Sequence, residues 1–273
     1  MEHPMNDLCN DLLAEYDELA DLCDSLTDAQ WQQASPFYGW APWDEVAHLA
    51  YFDEAATEAI TDAQVFQKSA QALMQLMLRG DEISAVARAH YAATPDRRLL
   101  PVWRARYQHL VALLREKDPK DRLPWYGPSM SARSFATARL METWAHGQDI
   151  WDVAGRRRPL THRLRHIAHL GVTTMGWTYV NRKLPAPTHA VSVLLEAPDG
   201  STWTWGDAEA SERVTGPALD FCLVVTQRRH VDDTQLKVQG ATAREWLLMA
   251  QCFAGPPADG PAPGVRAQPQ DRL

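Results

Sequence analysis

The sequence lacks long apolar runs and an excess of positive charge. None of its apolar stretches approaches the roughly 18 residues that a membrane-spanning helix requires. Aspartate and glutamate number 35 against 27 lysines and arginines, and the net charge of −8 disfavours nucleic acids and anionic membranes as partners. The composition is that of a globular protein. We expect a monomer or homodimer that acts on a small-molecule substrate.

Nucleotide loops, nucleophile elbows and cysteine pairs are also missing. The sequence has no Gly-rich phosphate-binding spacing and no G-x-S-x-G motif. Its four cysteines stand singly, without a C-x-x-C pair, which predicts reduced thiols in the core. The start, Met1-Glu2-His3-Pro4, is too polar for a secretory signal. We therefore expect a cytoplasmic protein.

Tryptophan, in contrast, is abundant. There are 11 in the chain. They can fill a helical core, or they can wall a wide pocket for an apolar substrate. Five of them lie in or near the motifs described next, namely Trp40, Trp43, Trp125, Trp144 and Trp151. Both interpretations remain open from the sequence.

The most informative stretch runs from Leu140 to Trp151, where polar residues recur along an apolar helix. Glu142, His146 and Asp149 are separated by four and three residues, so a helix places them on one face. Buried carboxylate and imidazole groups need a partner, and a zinc-like cation accepts both as ligands. The alternative is a surface pair that stabilises the helix by roughly 0.2–0.5 kcal/mol.

A third ligand must come from another segment, and the best candidate is His48. It lies within Ala41–Phe52, where Pro42 opens a second long helix at a position that proline tolerates. That helix also carries Asp44 and Tyr51 on the side of His48. A lone histidine on such a face can equally be a core residue that is satisfied by a neighbouring group.

Hydrophobic periodicity and turn residues predict an α+β protein in three parts. Residues 1–185 form a helical bundle, residues 186–255 form a small α+β domain, and residues 256–273 form a disordered tail rich in proline, alanine and glycine. The principal helices of the bundle are predicted at 5–25, 42–61, 96–117 and from about 131 to 155, followed by another at 161–182.

The motifs around His48 and Glu142–Asp149 resemble the DinB-like metal-binding superfamily. The branch that includes mycothiol-dependent maleylpyruvate isomerase is the most similar, and the resemblance covers residues 5–255. It implies a four-helix bundle that binds a divalent metal, usually zinc, through His48, Glu142 and His146. It also implies that the C-terminal part is a sterol-carrier-like α+β domain.

The resemblance further implies an arginine from the C-terminal domain at the active cleft. Thr226–His230 is the best match, with Arg228 as a catalytic residue and Arg229 as a substrate-binding residue. The alternative is solvated surface charge near Asp232 and Asp233. The predicted substrate-binding residues of the bundle are Trp40, Trp43, Tyr51 and Trp144. Trp43 departs from the family pattern and would narrow the pocket.

Five further polar residues have open roles. Asp149 would orient a ligand imidazole or accept a proton, and Asp44 could do the same beside His48. Each could instead be a solvated or capping carboxylate. A rival metal cluster is formed by His162, His166 and His169, which share a helical face. Independently of a metal, His169 could carry protons at the cleft.

The expected cofactors are a divalent metal, zinc first, and a low-molecular-weight thiol such as mycothiol or glutathione. Three protein ligands leave room for a thiol, water or substrate oxygen, as in catalytic zinc sites. The predicted enzyme isomerises or thiolates a small activated substrate, either an unsaturated carbonyl or an acyl compound. The alternatives are a metal-assisted hydrolase and a metal-containing protein that binds a small molecule without turnover.

Overall fold

A computed structural model describes residues 5–266. The chain divides into two compact units, Met1–Gly155 and Arg156–Leu273. The residues used above to judge a secretory signal, 1–4, lie outside the described part of the chain, and so does the end of the predicted tail, 267–273. No helix within residues 5–266 is long and apolar enough to cross a membrane.

The N-terminal unit is helical, with one short hairpin. Its helices are α1 (Asn6–Ser25), α2 (Asp28–Trp31), α3 (Pro42–Thr61), α4 (Ala63–Leu78), α5 (Ile83–His90), α6 (Leu99–Arg115) and α7 (Ala132–Ala154). The hairpin consists of β1 (Arg122–Leu123) and β2 (Met130–Ser131), paired antiparallel. The four predicted principal helices of the bundle correspond to α1, α3, α6 and α7.

These four helices form a ring. α3 packs against α6 and α7, and α1 packs against the same two helices. Within this ring each helix therefore has two neighbours, which is the arrangement of a four-helix bundle. Most of α7 is buried, and its interior positions include the fully buried Leu140 and Ile150. An element so enclosed can carry polar side chains only where other groups satisfy them.

Local sequence fixes the ends of the two helices that matter most. Pro42 occupies the first turn of α3, and the Asp44 carboxylate accepts the N–H of Ala41 just before it. The Ser131 hydroxyl accepts the N–H of Ser134 and so caps the start of α7. α7 ends at Gly155, which adopts φ +64°, a left-handed conformation that glycine reaches at little cost.

A buried ionic network ties α3 to α7 near the centre of the bundle. Arg139 donates to Oδ1 of Asp53 from both Nε and Nη2, at 3.2 and 2.7 Å. The Tyr16 hydroxyl donates to the same oxygen, and the Trp103 indole donates to Oδ2 at 3.0 Å. All four side chains are buried, so this carboxylate is satisfied entirely by the protein.

The C-terminal unit contains a mixed four-stranded sheet and several helices. Its helices are α8 (Leu164–Thr173), α9 (Met175–Asn181), α10 (Ala218–Val225) and α11 (Ala241–Met249), with a 3-10 turn at Val231–Asp233. Its strands are β3 (Ser192–Glu196), β4 (Thr202–Trp205), β5 (Arg213–Pro217) and β6 (Lys237–Gln239), in the order β4-β3-β5-β6. The β3–β5 pair is parallel, and the other two pairs are antiparallel.

The division between the units falls at Gly155, whereas the sequence analysis placed a boundary at residue 185. The physical reason is that α8 packs against α10 of the C-terminal unit. Gly171 allows this close approach, since a Cβ added there would lie 2.8 Å from a methyl group of Val225. The segment that looked like an extra bundle helix thus belongs to the sheet-containing unit.

The described part of the predicted disordered tail, residues 256–266, has no helix or strand but is held by hydrogen bonds. Ala258 donates its N–H to the side-chain oxygen of Gln251 at 3.1 Å, and the Arg266 guanidinium donates to the carbonyl of Gln227 at 2.9 Å. The prediction of disorder rested on the Pro- and Gly-rich composition of this segment, which does not reveal these side-chain anchors.

Candidate metal centre

The three predicted ligands come together inside the N-terminal unit. His48 on α3 and both Glu142 and His146 on α7 have ligand atoms that all lie within 4.8 Å of one another. Nε2 of His146 lies 3.4 Å from a Glu142 oxygen, and the two imidazole centroids are 4.4 Å apart. His146 is buried, while the Glu142 side chain is 24% exposed, so one side of the cluster faces solvent.

The chemistry of this donor set fits a divalent cation. Two histidines and one glutamate form the ligand set of a known class of catalytic zinc site. Bonds of about 2.0–2.2 Å place ligand atoms up to about 4 Å apart, so the spacing needs only small side-chain rotations. His48, Glu142 and His146 would hold the ion.

A fourth residue, Glu45, contacts this cluster and was not predicted. Its Oε2 lies 2.7 Å from Nδ1 of His146, and its side chain is completely buried. Glu45 stands three residues before His48, so helix geometry already places both on one side of α3. That spacing was the available signal. It was missed because an acidic residue in the first turn of a helix is usually explained by the helix dipole.

The two aspartates next to the predicted ligands differ. Asp149 is buried, and one of its carboxylate oxygens lies within 4.8 Å of ligand atoms of Glu45 and His146. Its proposed role in orienting the imidazole is compatible with this position. Asp44 instead accepts the N–H of Ala41 and pairs with Arg88 at 2.6 Å, so the structure favours its capping alternative.

Aromatic rings surround the two histidines. Trp40 stacks on His146 with the ring planes 10° apart, and its centroid lies 5.3 Å from that of His48. Phe37 meets His146 edge-on at 5.6 Å, and Phe52 lies 4.7 Å from His48. Phe37 and Phe52 were not predicted, because nothing in their local sequence distinguishes them from core residues.

The other predicted pocket residues of the bundle have different surroundings. Trp43 is buried, and its indole donates to the carbonyl of Thr94 at 3.0 Å, which favours a core role over the predicted narrowing of a pocket. Trp144 is also buried. Tyr51 is half-buried against Phe52 and His90, and burial raises the pKa of its phenol.

In the C-terminal unit, Arg228 and Arg229 are both buried, at 3% and 2% exposure. This excludes the alternative of solvated surface charge. They follow α10 in a Schellman turn, in which the N–H of Arg228 reaches the carbonyl of Leu223 at 2.7 Å. Gln227 takes the left-handed position of that turn, with φ +60°, where glycine is usual. The Gln227 amide anchors the turn by donating to the carbonyls of Ala250 and Ala258.

Within residues 5–266, two groups of side chains bring their ligand atoms close enough to hold a metal ion. The rival cluster of His162, His166 and His169 is neither of them. Nδ1 of His169 accepts a hydrogen bond from the Trp205 indole at 3.2 Å, and His162 lies near Asp199. His169 is exposed, and its suggested role as a proton carrier remains a prediction.

Comparison with protein families gives two matches. Residues 12–151 match the family described as mycothiol maleylpyruvate isomerase N-terminal domain, and this range contains all three predicted metal ligands. Residues 193–237 match the family described as wyosine base formation, which covers only a small part of the chain. The first match spans about half of the chain.

Two curated relatives are uncharacterised proteins from two strains of Mycobacterium tuberculosis. Each is 41% identical to this chain over 250 residues, covering 92% of this chain and 96% of the relative. The similarity therefore extends over both compact units.

Two solved structures resemble the chain in fold. One is a crystal structure of mycothiol-dependent maleylpyruvate isomerase, with TM-score 0.52 and 14% identity over 81% of this chain and 88% of that one. The other is a histidine-to-alanine mutant of the same enzyme, with TM-score 0.54 and 15% identity over 88% and 94% of the two chains. The likeness confirms the predicted α+β fold class.

Proposed function

Because the chain belongs to the mycothiol maleylpyruvate isomerase N-terminal domain family, we propose that it is a divalent-metal-dependent enzyme that uses a low-molecular-weight thiol. Its substrate is a small unsaturated carbonyl or acyl compound, which it isomerises or thiolates. The observation that carries this proposal is the convergence of His48, Glu142 and His146 from two helices. Zinc is the cation that these donors favour.

The side chains of this chain divide the work. His48, Glu142 and His146 hold the cation, which when bound lowers the pKa of a thiol or polarises a carbonyl. Trp40 covers one face of the His146 ring and thereby limits access of water to that side. The exposed side of Glu142 leaves a route by which a thiol or substrate can enter.

Proton handling and substrate binding fall to other residues. Asp149 is placed close enough to His146 to orient that imidazole or to accept a proton near it. In the C-terminal unit, Arg228 and Arg229 offer guanidinium groups that suit a carboxylate of the substrate or thiol.

The test combines metal analysis with a thiol requirement. Purified protein is analysed for bound zinc, and turnover of a panel of unsaturated carbonyl compounds is followed with mycothiol, with glutathione and without thiol. We expect near-stoichiometric zinc and turnover that needs both metal and thiol. His48→Ala should lose both, whereas the control His109→Ala, which changes an exposed histidine on α6, should keep both.

Other outcomes would contradict the proposal in distinct ways. Turnover of an ester or amide with metal but without thiol would favour the hydrolase alternative. Tight ligand binding with no turnover would favour the binding-protein alternative. Full activity after exhaustive chelation would show that the reaction does not require a metal.

A further inference from the structure

We infer that Glu45 is a positioning residue that fixes the ring orientation and tautomer of His146. The inference rests on the proposed function, in which His146 is a metal ligand, and it adds a residue that neither the sequence motifs nor the family comparison assigns. Three observations support it: a short contact, complete burial of the carboxylate, and the identity of the helix that carries it.

The contact involves the nitrogen of His146 that is not the one approaching Glu142. Oε2 of Glu45 lies 2.7 Å from Nδ1, while Nε2 is the nitrogen that approaches Glu142. A carboxylate at 2.7 Å from a ring nitrogen accepts its proton in a charge-assisted hydrogen bond. The proton is then held at Nδ1, and Nε2, the nitrogen that approaches Glu142, keeps its lone pair for a cation.

Burial makes this arrangement rigid. The Glu45 side chain is 0% exposed and that of His146 is 6% exposed, so water does not compete for the hydrogen bond. Trp40 and Phe37 pack on the imidazole and oppose rotation of the ring. A ligand whose orientation is fixed before the cation arrives loses less entropy on binding.

Helix α3 supplies both the proposed ligand His48 and Glu45, the residue that holds the proposed ligand His146 in position. Glu45 and His48 are three residues apart on α3, while His146 lies on α7, which packs against α3. Outer carboxylates that hold a metal-bound histidine in this way typically contribute 10–100-fold to metal affinity, so we expect an effect of about that size here. Asp149, whose ligand atom lies within 4.8 Å of those of Glu45 and His146, is the residue best placed to substitute for Glu45.

The experiment compares Glu45→Leu and Glu45→Gln with the control Glu54→Gln. The control changes a carboxylate on the exposed side of the same helix, α3. Nitrogen-15 spectra of the histidine rings in metal-free protein at mildly alkaline pH report the tautomer of His146. Competition with a chelator reports zinc affinity. We expect a single tautomer protonated at Nδ1 in the wild type and in Glu54→Gln.

Glu45→Leu should show a mixture of tautomers and about 10–100-fold weaker zinc binding, whereas Glu45→Gln should fall between because its amide oxygen still accepts a hydrogen bond. The inference is overturned if Glu45→Leu, or Glu45→Gln should the leucine variant not fold, keeps both the tautomer and zinc affinity of the wild type. If wild-type protein binds no zinc, the proposed function fails, and the tautomer measurement still decides the role of Glu45.

Discussion

Two polar clusters join the same pair of helices, α3 and α7, and they are built in opposite ways. In one, Asp53 receives hydrogen bonds from Arg139, Tyr16 and Trp103, all buried. In the other, which we call the donor cluster, His48, Glu45, Glu142, His146 and Asp149 bring two imidazoles together with three carboxylates. The first cluster balances its charge internally, whereas the second concentrates groups that bind a cation.

In the proposed function, this difference would separate the residues that stabilise the helix pair from those that act on a ligand. Asp53 lies five residues after His48, and Arg139 lies three residues before Glu142, so the clusters are neighbours. The buried Asp53–Arg139 pair is satisfied within the protein, so it contributes to the packing of the bundle and is not available to a ligand. The donor cluster is partly exposed at Glu142, the side from which a ligand would enter in the proposed function.

The largest expected effect comes from breaking the closed cluster. Arg139→Met leaves the Asp53 carboxylate buried without its guanidinium, and we expect the free energy of unfolding to fall by about 3–5 kcal/mol. Urea unfolding measures it. The double variant Asp53→Leu/Arg139→Met should recover much of this loss because no charge remains buried. Exposed ion pairs contribute up to about 1 kcal/mol. If Arg139→Met lowers the free energy of unfolding by less than that, the pair does not stabilise the bundle as a buried pair would.

Removing a metal-ligating side chain should weaken binding of the cation and leave the stability of the metal-free fold unchanged. Glu142→Ala is expected to weaken zinc binding by at least the 10–100-fold typical of residues one shell further out, while metal-free protein unfolds at nearly the wild-type urea concentration. Calorimetric titration with zinc, beside the exposed control Glu116→Ala, measures the effect. Equal zinc affinity in both variants would take Glu142 out of the site.

A matched pair of tryptophan substitutions sharpens the contrast. Trp103→Phe removes the indole donor to Asp53, and we expect a loss of about 1–3 kcal/mol in unfolding free energy because a buried acceptor loses a partner. Trp40→Phe keeps an aromatic ring on His146 and should change stability by less than about 0.5 kcal/mol. Unfolding curves of both variants decide the point. Reversed magnitudes would mean that the site, not the closed cluster, stabilises the bundle.

The smallest effect concerns alkaline pH. Burial, together with the charge of Asp53, raises the pKa of Tyr16 above its ordinary value. Stability from Tyr16 is therefore complete below the unfolded pKa of about 10 and is lost as pH rises towards the folded pKa, by at most about 1.4 kcal/mol per pH unit. Tyr16→Phe should flatten the decline in unfolding free energy above that pH. The exposed control Tyr38→Phe should not, and identical slopes in both variants would contradict the assignment.

The sequence predicted the family and the helical frame well, and both are confirmed by the comparisons. Periodicity revealed α3 and α7, and the spacing of Glu142 and His146 placed them on one face. His48 was also named as the distant partner of that pair. The contact of Glu45 with His146 was not predicted: the spacing of Glu45 and His48 places both on one side of α3, but the local sequence does not show that α7 packs on that side.

The C-terminal unit was harder to predict because its sequence signals were ambiguous. The charges beside Asp232 and Asp233 left solvated surface charge open as the alternative to a cleft role, and the structure excludes that alternative because Arg228 and Arg229 are buried. The turn that directs them uses Gln227 where glycine would have been an obvious marker. Strand β5 was not predicted, since its five residues, Arg213–Pro217, contain Gly and Pro.

The donor cluster draws its groups from segments about a hundred residues apart, and this has a thermodynamic consequence. A cation that binds only when α3 and α7 are assembled must, by linkage, stabilise the folded chain. At a free concentration about 100 times the dissociation constant, the gain is about 2.7 kcal/mol. Heat resistance of the protein would then report on the availability of the ion, so that scarcity of metal lowers abundance as well as activity.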